Sequence, residues 1–447
     1  MAHPSRPLLI AALAASLFAQ APESPLPPGA GLARTMHLLA TSRPDHRRPV
    51  RILFYGQSIT KQEWWKQVAA DLRRRYPYAD LEIVNRSIGG FSTQYLKRTI
   101  EHDLFPFYPD LVVFHDYGRQ DEYEEMIRAI RSRTVAEVAL QTDHVANVKP
   151  EQQAWHDRHS AGFLRELAAK YGLAWIDQRR QWADYLQRHN LQPQALLTDS
   201  VHLNAQGNWL MADIVSRHLV ENPALPVPET VRDYRVGTDA DWRNGRLTLE
   251  FTGNRVELLT ATTARQPYTR ARILIDGQPP SAFPELYAIE RPSDGTGPDW
   301  PLLIHVDRGA PLQVEDWFLT VTAVDPDHQS IRFSLRGSRT GPDGEGLSNQ
   351  PFVSTSGRIR ISPEDWHFQR AYSLQKKPLP IGFVSRFRVT PLFTDAYEPP
   401  RIDDRTREYL TVVASGLPNA PHRLEIIAET GELPQITAIR VSTPPLK

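Results

Sequence analysis

Cysteine is absent from the 447 residues. Its absence excludes disulfides, thiolate nucleophiles, cysteine-ligated zinc and a lipoprotein anchor. Net charge is missing too, because 52 Lys and Arg balance 52 Asp and Glu. A nucleic-acid binder or a polybasic membrane-surface protein carries a basic excess, so neither class fits. Long apolar runs are also lacking. The best candidate, residues 8–18, is about 11 residues long, where a helix needs about 20 to span a bilayer. No internal repeat of fixed period is present.

What is there suffices for a large folded chain. Hydrophobic residues make up 40% of the sequence, with 10 Trp, 15 Tyr and 16 Phe, which rules out global disorder. The length is about three times that of a usual domain, which favours at least two. At the N-terminus Arg6 precedes the short apolar stretch, and Ala19-Gln20-Ala21 follows it as a small-x-small cleavage site. Residues 1–21 therefore read as a signal peptide, and the protein as periplasmic or secreted. A large core lets such a chain do without disulfides.

Residues 22–48, rich in Pro, Ala, Gly and Arg, read as a linker. From 49 to 222 strand and helix signals alternate. Short apolar runs at Arg51-Ile52-Leu53-Phe54-Tyr55, residues 81–84, Leu111-Val112-Val113-Phe114, residues 135–140 and Leu173-Ala174-Trp175-Ile176 read as strands. Between them apolar residues recur at helical spacing, as at Trp64, Trp65, Val68, Ala69 and Leu72. Such alternation predicts a parallel sheet covered on both faces, with a reactive site beyond the carboxyl ends of its strands. Prolines 223, 226 and 228 mark a second linker, 223–236. From 237 to 447 β-type runs dominate, for example Leu247-Thr248-Leu249-Glu250-Phe251 and Phe318-Leu319-Thr320-Val321, and predict an antiparallel sandwich or jelly roll.

Ser58 stands just past the first strand, after Gly56-Gln57. A serine hydroxyl attacks carbonyls only when a base takes its proton. The triplet alone is common, and Gly90-Phe91-Ser92 and Gly346-Leu347-Ser348 repeat it. A base is offered by Asp199-Ser200-Val201-His202, whose spacing lets the carboxylate hold one ring nitrogen while the other faces a serine. Asp325-Pro326-Asp327-His328 has the same spacing, but its proline and β-rich context indicate a turn. Two further segments follow strands two and three. The glycines of Asn85-Arg86-Ser87-Ile88-Gly89-Gly90 present backbone N–H groups, and Gly118-Arg119-Gln120-Asp121 carries an amide donor. With the Ser58 N–H they suit an oxyanion hole.

In order, these blocks resemble the SGNH hydrolases, also called GDSL esterases and lipases, over residues 51–220. The resemblance implies a flavodoxin-like parallel sheet in three layers, with the β region appended. It implies Ser58 as nucleophile, Asp199 and His202 as its partners, and Ser58, Gly90 and Gln120 as oxyanion donors. Gln57 stands where the family usually has Asp, and Gln120 where it has Asn. The implied activity is hydrolysis of a small acyl group, acetyl above all, from a carbohydrate, with another acyl ester as the alternative. No cofactor or metal is needed, and the implied partner is an acylated carbohydrate.

Rival assignments have weaker support. Ser92 follows the glycine pair rather than the first strand. His115, His144, His156 and His159 lack a compact ligand pattern, and His156, Asp157 and His159 are expected on a solvated helix. Trp64 and Trp65 are expected to pack on the sheet. The alternative of a protein that binds carbohydrate without hydrolysing it is motivated by Gln120 in place of Asn and by the large β region. There Trp300, Trp317 or Trp366 would stack on sugars if exposed, although such tryptophans are usually core.

Overall fold

The computed structural model describes residues 26–263, 269–293, 301–309, 312–429 and 433–446. The expected signal peptide and Trp300 lie outside them. A five-stranded parallel sheet comprises β1 (Pro49–Gly56), β2 (Asp80–Asn85), β3 (Leu111–His115), β4 (Glu137–Gln141) and β5 (Ala174–Ile176), in spatial order β2-β1-β3-β4-β5. Successive side chains of a strand point to opposite faces. In β1, Val50, Ile52 and Phe54 enter one buried cluster and Leu53 and Tyr55 another. Both faces are covered, which is why the strand reads as a continuous apolar run.

Helices α1 (Ala33–Thr41), α2 (Ser58–Lys61), α3 (Trp64–Arg75), α4 (Thr93–Asp103), α5 (Gln120–Arg133), α6 (Pro150–Arg158), α7 (Arg165–Tyr171), α8 (Gln178–Arg188) and α9 (Ala205–His218) connect and cover the strands. Met36 of α1, Trp64, Val68 and Leu72 of α3, Trp182 of α8, and Met211 and Ile214 of α9 fill the first face. Leu96 and Ile100 of α4 and Tyr123, Met126 and Ile130 of α5 fill the second. Residues 33–41, which composition reads as linker, thus form a helix of this core. Leu32, Met36 and Leu39 are its buried stripe, a 3–4 spacing that the surrounding Pro and Arg obscure.

Beyond this domain the strands are antiparallel. A seven-stranded sheet is built on two long strands, Arg246–Thr260 and Leu410–Ala428, and a five-stranded sheet on Asp316–Val324, Ile331–Gly337 and Val384–Pro391. Each sheet has its own buried cluster. In the second, Ile331, Phe333 and Leu335 point inward while Arg332 and Arg336 point out, the period of a half-buried strand. Trp317 and Trp366 belong to that core. The β region also contributes a helix, α10 (Phe368–Gln375). Polar pairs join the regions: the Tyr108 hydroxyl donates to Asn254 Oδ1 at 2.7 Å, and Arg407 meets Asp80 at 2.6 Å. Among the described residues no helix is long and apolar enough to cross a membrane.

Candidate active site

β1 ends on Gly56, whose φ is +156°. A Cβ there would stand 2.0 Å from the His115 carbonyl oxygen and 2.6 Å from Thr60 Oγ1. Only glycine lets β1 and β3 approach this closely at their carboxyl ends. The chain then turns into α2, where Gln57 Oε1 accepts the Ile59 N–H at 2.8 Å. This cap satisfies one of the free donors that open a helix. Ser58 is therefore the first helical residue, beyond the end of the strand.

The Ser58 hydroxyl lies 3.1 Å from His202 Nε2 and 3.1 Å from Gln57 Oε1. One proton cannot serve both acceptors at once, so the hydroxyl is shared between them. His202 Nδ1 is 2.7 Å from Asp199 Oδ2. Asp199 Oδ1 in turn accepts the backbone N–H groups of His202 at 2.7 Å and Val201 at 2.8 Å. Those two donors, followed by the His202 ring, bring the Asp199 carboxyl down to about 2. With Asp199 ionised, the imidazole carries its proton on Nδ1, and Nε2 is left to accept from Ser58.

The loop bearing His202 is held from three sides, by residues outside the sequence motifs. Gln62 grips the next residue twice: its Nε2 donates to the Leu203 carbonyl at 3.2 Å, and its Oε1 accepts the Leu203 N–H at 3.0 Å. His144 Nε2 lies 2.8 Å from the Val201 carbonyl oxygen, and the Asn147 N–H donates to the Ser200 carbonyl at 2.8 Å. Behind the loop, Asn204 Oδ1 caps α9 through the Gly207 N–H at 3.0 Å. No spacing rule reveals Gln62 or His144, because each holds backbone from a distant part of the chain.

The second loop passes beside the serine. Asn85 Nδ2 donates to the Thr60 carbonyl at 2.7 Å, and Asn85 Oδ1 accepts the Ser87 N–H at 2.9 Å. A Cβ on Gly89 would lie 3.8 Å from that of Ser58. Gly90 follows, exposed, with φ +73° in the left-handed region. In the third loop the Arg119 N–H donates to Thr93 Oγ1 at 3.1 Å. Gln120 opens α5 as an exposed residue, and none of the described hydrogen bonds links it to Ser58, Gly90 or His202. The structure therefore joins Ser58, His202 and Asp199 directly, brings the glycine loop alongside, and leaves Gln120 at the rim. Ser92 stands as the N-cap residue of α4.

Of the residues expected on a solvated helix, His156 and Asp157 lie on α6, none of whose residues is buried, while His159 just beyond it is enclosed. His159 is buried in a π-helical turn, His156 pairs with Asp143, and Asp157 pairs with Arg179 at 2.6 Å. Asp157 stays mostly exposed, and Arg179 stands within ion-pair distance of both Asp143 and Asp157. Burial pushes His115 down to about 3 and His144 and His159 to about 4. These rings are therefore neutral hydrogen-bonding groups near neutral pH. Among the described residues no three His, Asp or Glu are arranged to hold a metal ion. Two crevices of about 740 and 470 Å³ separate the α/β and β regions, and neither is lined by Ser58 or His202.

Residues 54–210 match the model of the GDSL-like Lipase/Acylhydrolase family and form a domain of that kind. No curated protein sequence matches the chain. Among solved structures, a two-domain esterase active on acetylated mannans aligns over 92% of this chain and 94% of its own, at 15% identity and TM-score 0.35. An acetylxylan esterase from Geobacillus stearothermophilus, Axe2, aligns over 41% of this chain and 99% of its own, at 20% identity and TM-score 0.35. The acetyl xylan esterase AlAXEase aligns over 37% and 98%, at 24% identity and TM-score 0.33.

Proposed function

We propose that this chain, with its GDSL-like hydrolase domain, is an exported serine esterase that removes a short acyl group, acetyl above all, from carbohydrate. The observation that carries the reading is the unbroken hydrogen-bonded series Ser58–His202–Asp199, at 3.1 and 2.7 Å. Ser58 Oγ attacks the ester carbonyl carbon while His202 Nε2 takes its proton, and Asp199 stabilises the imidazolium so formed. The negative charge on the carbonyl oxygen is met by the Ser58 and Gly90 N–H groups and by the Gln120 amide, which swings in from the rim. As the tetrahedral intermediate collapses, His202 returns its proton to the departing sugar oxygen and the acyl group stays on Ser58. Water, deprotonated by His202, then attacks the acyl carbon, and His202 gives the proton to Ser58 Oγ as that ester bond breaks and the carboxylic acid leaves.

The choice of a carbohydrate acetate draws on the sequence: the SGNH resemblance, the expected export and the neutral charge. The test is acetate release from a panel of acetylated polysaccharides, with an aryl acetate as general probe. Ser58→Ala is expected to cut kcat on the aryl acetate at least about a thousandfold without loss of fold. Equal turnover by both proteins would remove Ser58 from the mechanism. Turnover of the aryl acetate alone, with every polysaccharide untouched, would remove the carbohydrate.

A further inference from the structure

We propose that Arg370, which belongs to the β region, is a positioning residue of the oxyanion loop, so that the esterase site is completed by a part of the chain outside the hydrolase domain. The proposal rests on the esterase reading above. Arg370 Nη2 donates to the Gly90 carbonyl oxygen at 3.1 Å, and Nη1 donates to the Tyr95 hydroxyl at 3.0 Å. Its guanidinium also lies over the Tyr95 ring, 5.0 Å from the centroid. Beside it, the His367 ring packs 4.7 Å from Phe91 and 4.8 Å from Tyr95. Arg98 of α4 anchors the turn that leads into α10, through Glu364 at 2.9 Å and Asp365 at 2.5 Å.

This contact falls where the loop is least able to hold itself. Gly90 has no side chain and a φ of +73°, so its flanking peptide planes turn more freely than those of any other residue type. Among the described residues, the peptide that follows Gly90 is held on its N–H side by the Phe91-to-Ile88 bond alone, which is 3.3 Å long. Its carbonyl side is held by Arg370, a planar charged donor whose second arm is fixed on Tyr95. Holding that plane anchors the Gly90 Cα from its carbonyl side, and with the Asn85 end of the loop tied to Thr60 it narrows the range over which the preceding peptide, which carries the Gly90 N–H, can turn. An oxyanion donor works only when aimed before the charge appears, so slack in this plane costs rate and not substrate affinity.

The test compares wild type, Arg370→Ala, Arg370→Lys and Ser58→Ala on an aryl acetate, with melting curves for each. Arg370→Ala should keep its melting temperature within a few degrees, lose about tenfold in kcat and change KM less than about twofold. That loss is smaller than the 10²–10³ typical of deleting an oxyanion donor itself. Arg370→Lys, with one donor arm, should fall between Arg370→Ala and wild type. Guanidinium ion at tens of millimolar should restore part of the kcat of Arg370→Ala and nothing in Ser58→Ala. Hydrogen exchange gives a readout independent of turnover: peptides covering residues 85–95 should exchange faster in Arg370→Ala. Wild-type kcat in a folded Arg370→Ala, or a kcat loss that only follows a fall in melting temperature and resists guanidinium, would overturn the proposal. So would unchanged exchange over 85–95, even if the wild type hydrolysed no ester. Absence of wild-type hydrolysis would by itself count against the esterase reading instead.

Discussion

Asp199 shows how a single side chain can be tuned while open to solvent. More than half of its side chain is exposed, yet two backbone N–H groups and the His202 ring keep it ionised to about pH 2. Loss of activity between pH 7 and pH 4 therefore does not come from protonating Asp199. Its depressed value stabilises the folded loop above the ordinary carboxylate range, and that contribution disappears as pH falls from about 4 towards 2. Asp199→Asn keeps the size but replaces one acceptor with an N–H₂ group that faces donors. The imidazole then loses its Nδ1–H tautomer, and kcat should fall at least about a hundredfold with KM little changed. Steady-state kinetics on an aryl acetate read both parameters, and a kcat within about threefold of wild type would contradict this role. Ser58 and the Asp199–His202 pair were legible as residues, since a nucleophile after a strand and an i,i+3 carboxylate–imidazole pair are local patterns. Gln62 and His144 were not, because their hydrogen bonds go to backbone and leave no residue-type signature.

Among the elements, α1 departs most from the reading of the chain. The segment 22–48 is rich in prolines and arginines, which mark a linker by composition, yet Met36 is fully buried against the sheet. The Arg34 guanidinium pairs with Asp110 at 2.8 Å, and Glu137 accepts the Arg34 and Thr35 N–H groups at 2.8 and 2.7 Å. The acceptor for the opening turn of this helix comes from β4, and no sequence window of ordinary length includes both. Met36→Ala should therefore cost about 2–5 kcal/mol of unfolding free energy, the usual range for an emptied core site. Urea denaturation followed by fluorescence measures it, and a midpoint equal to wild type would mean that α1 is dispensable. The five parallel strands, by contrast, were readable because strands buried on both faces become unbroken apolar runs. The solvated helix expected for His156, Asp157 and His159 holds for the first two and fails for His159, for the opposite reason. Its polarity is local, while its burial comes from the rings of Tyr123, Trp155 and Phe163 that pack against it.

Across the whole molecule the buried titratable groups set the response to acid. Among the described residues burial lowers six imidazoles, with His102 and His115 at about 3, His144, His159 and His367 at about 4, and His218 in the same direction. Unfolding frees these rings to take up protons below about pH 6.5, so the unfolded state binds more protons and stability falls with pH from there to about 4. Asp103, raised to about 6, and Asp116 and Glu137, also raised by burial, act in the opposite direction. The imidazoles outnumber them six to three, so the melting temperature should drop on acidification from pH 6.5 to pH 4. Calorimetry across that range is the check, and a flat or rising profile would show the carboxyl groups to be dominant. Several of these groups lie where the β region meets the hydrolase domain: His102 Nδ1 is 2.7 Å from the Ile289 carbonyl, and Arg291 pairs with Asp103 at 2.9 Å. By itself the sequence determined the strand–helix alternation, the change to β texture near residue 223 and the order of the four blocks, because periodicity and turn chemistry are properties of neighbouring residues. Only the tertiary structure decided that Ser58 and His202, 144 positions apart, stand at hydrogen-bond distance. It alone decided that α1 belongs to the core and that Arg370 reaches the Gly90 loop. Each of these depends on which surfaces pack together, and packing distance is not encoded in any local spacing.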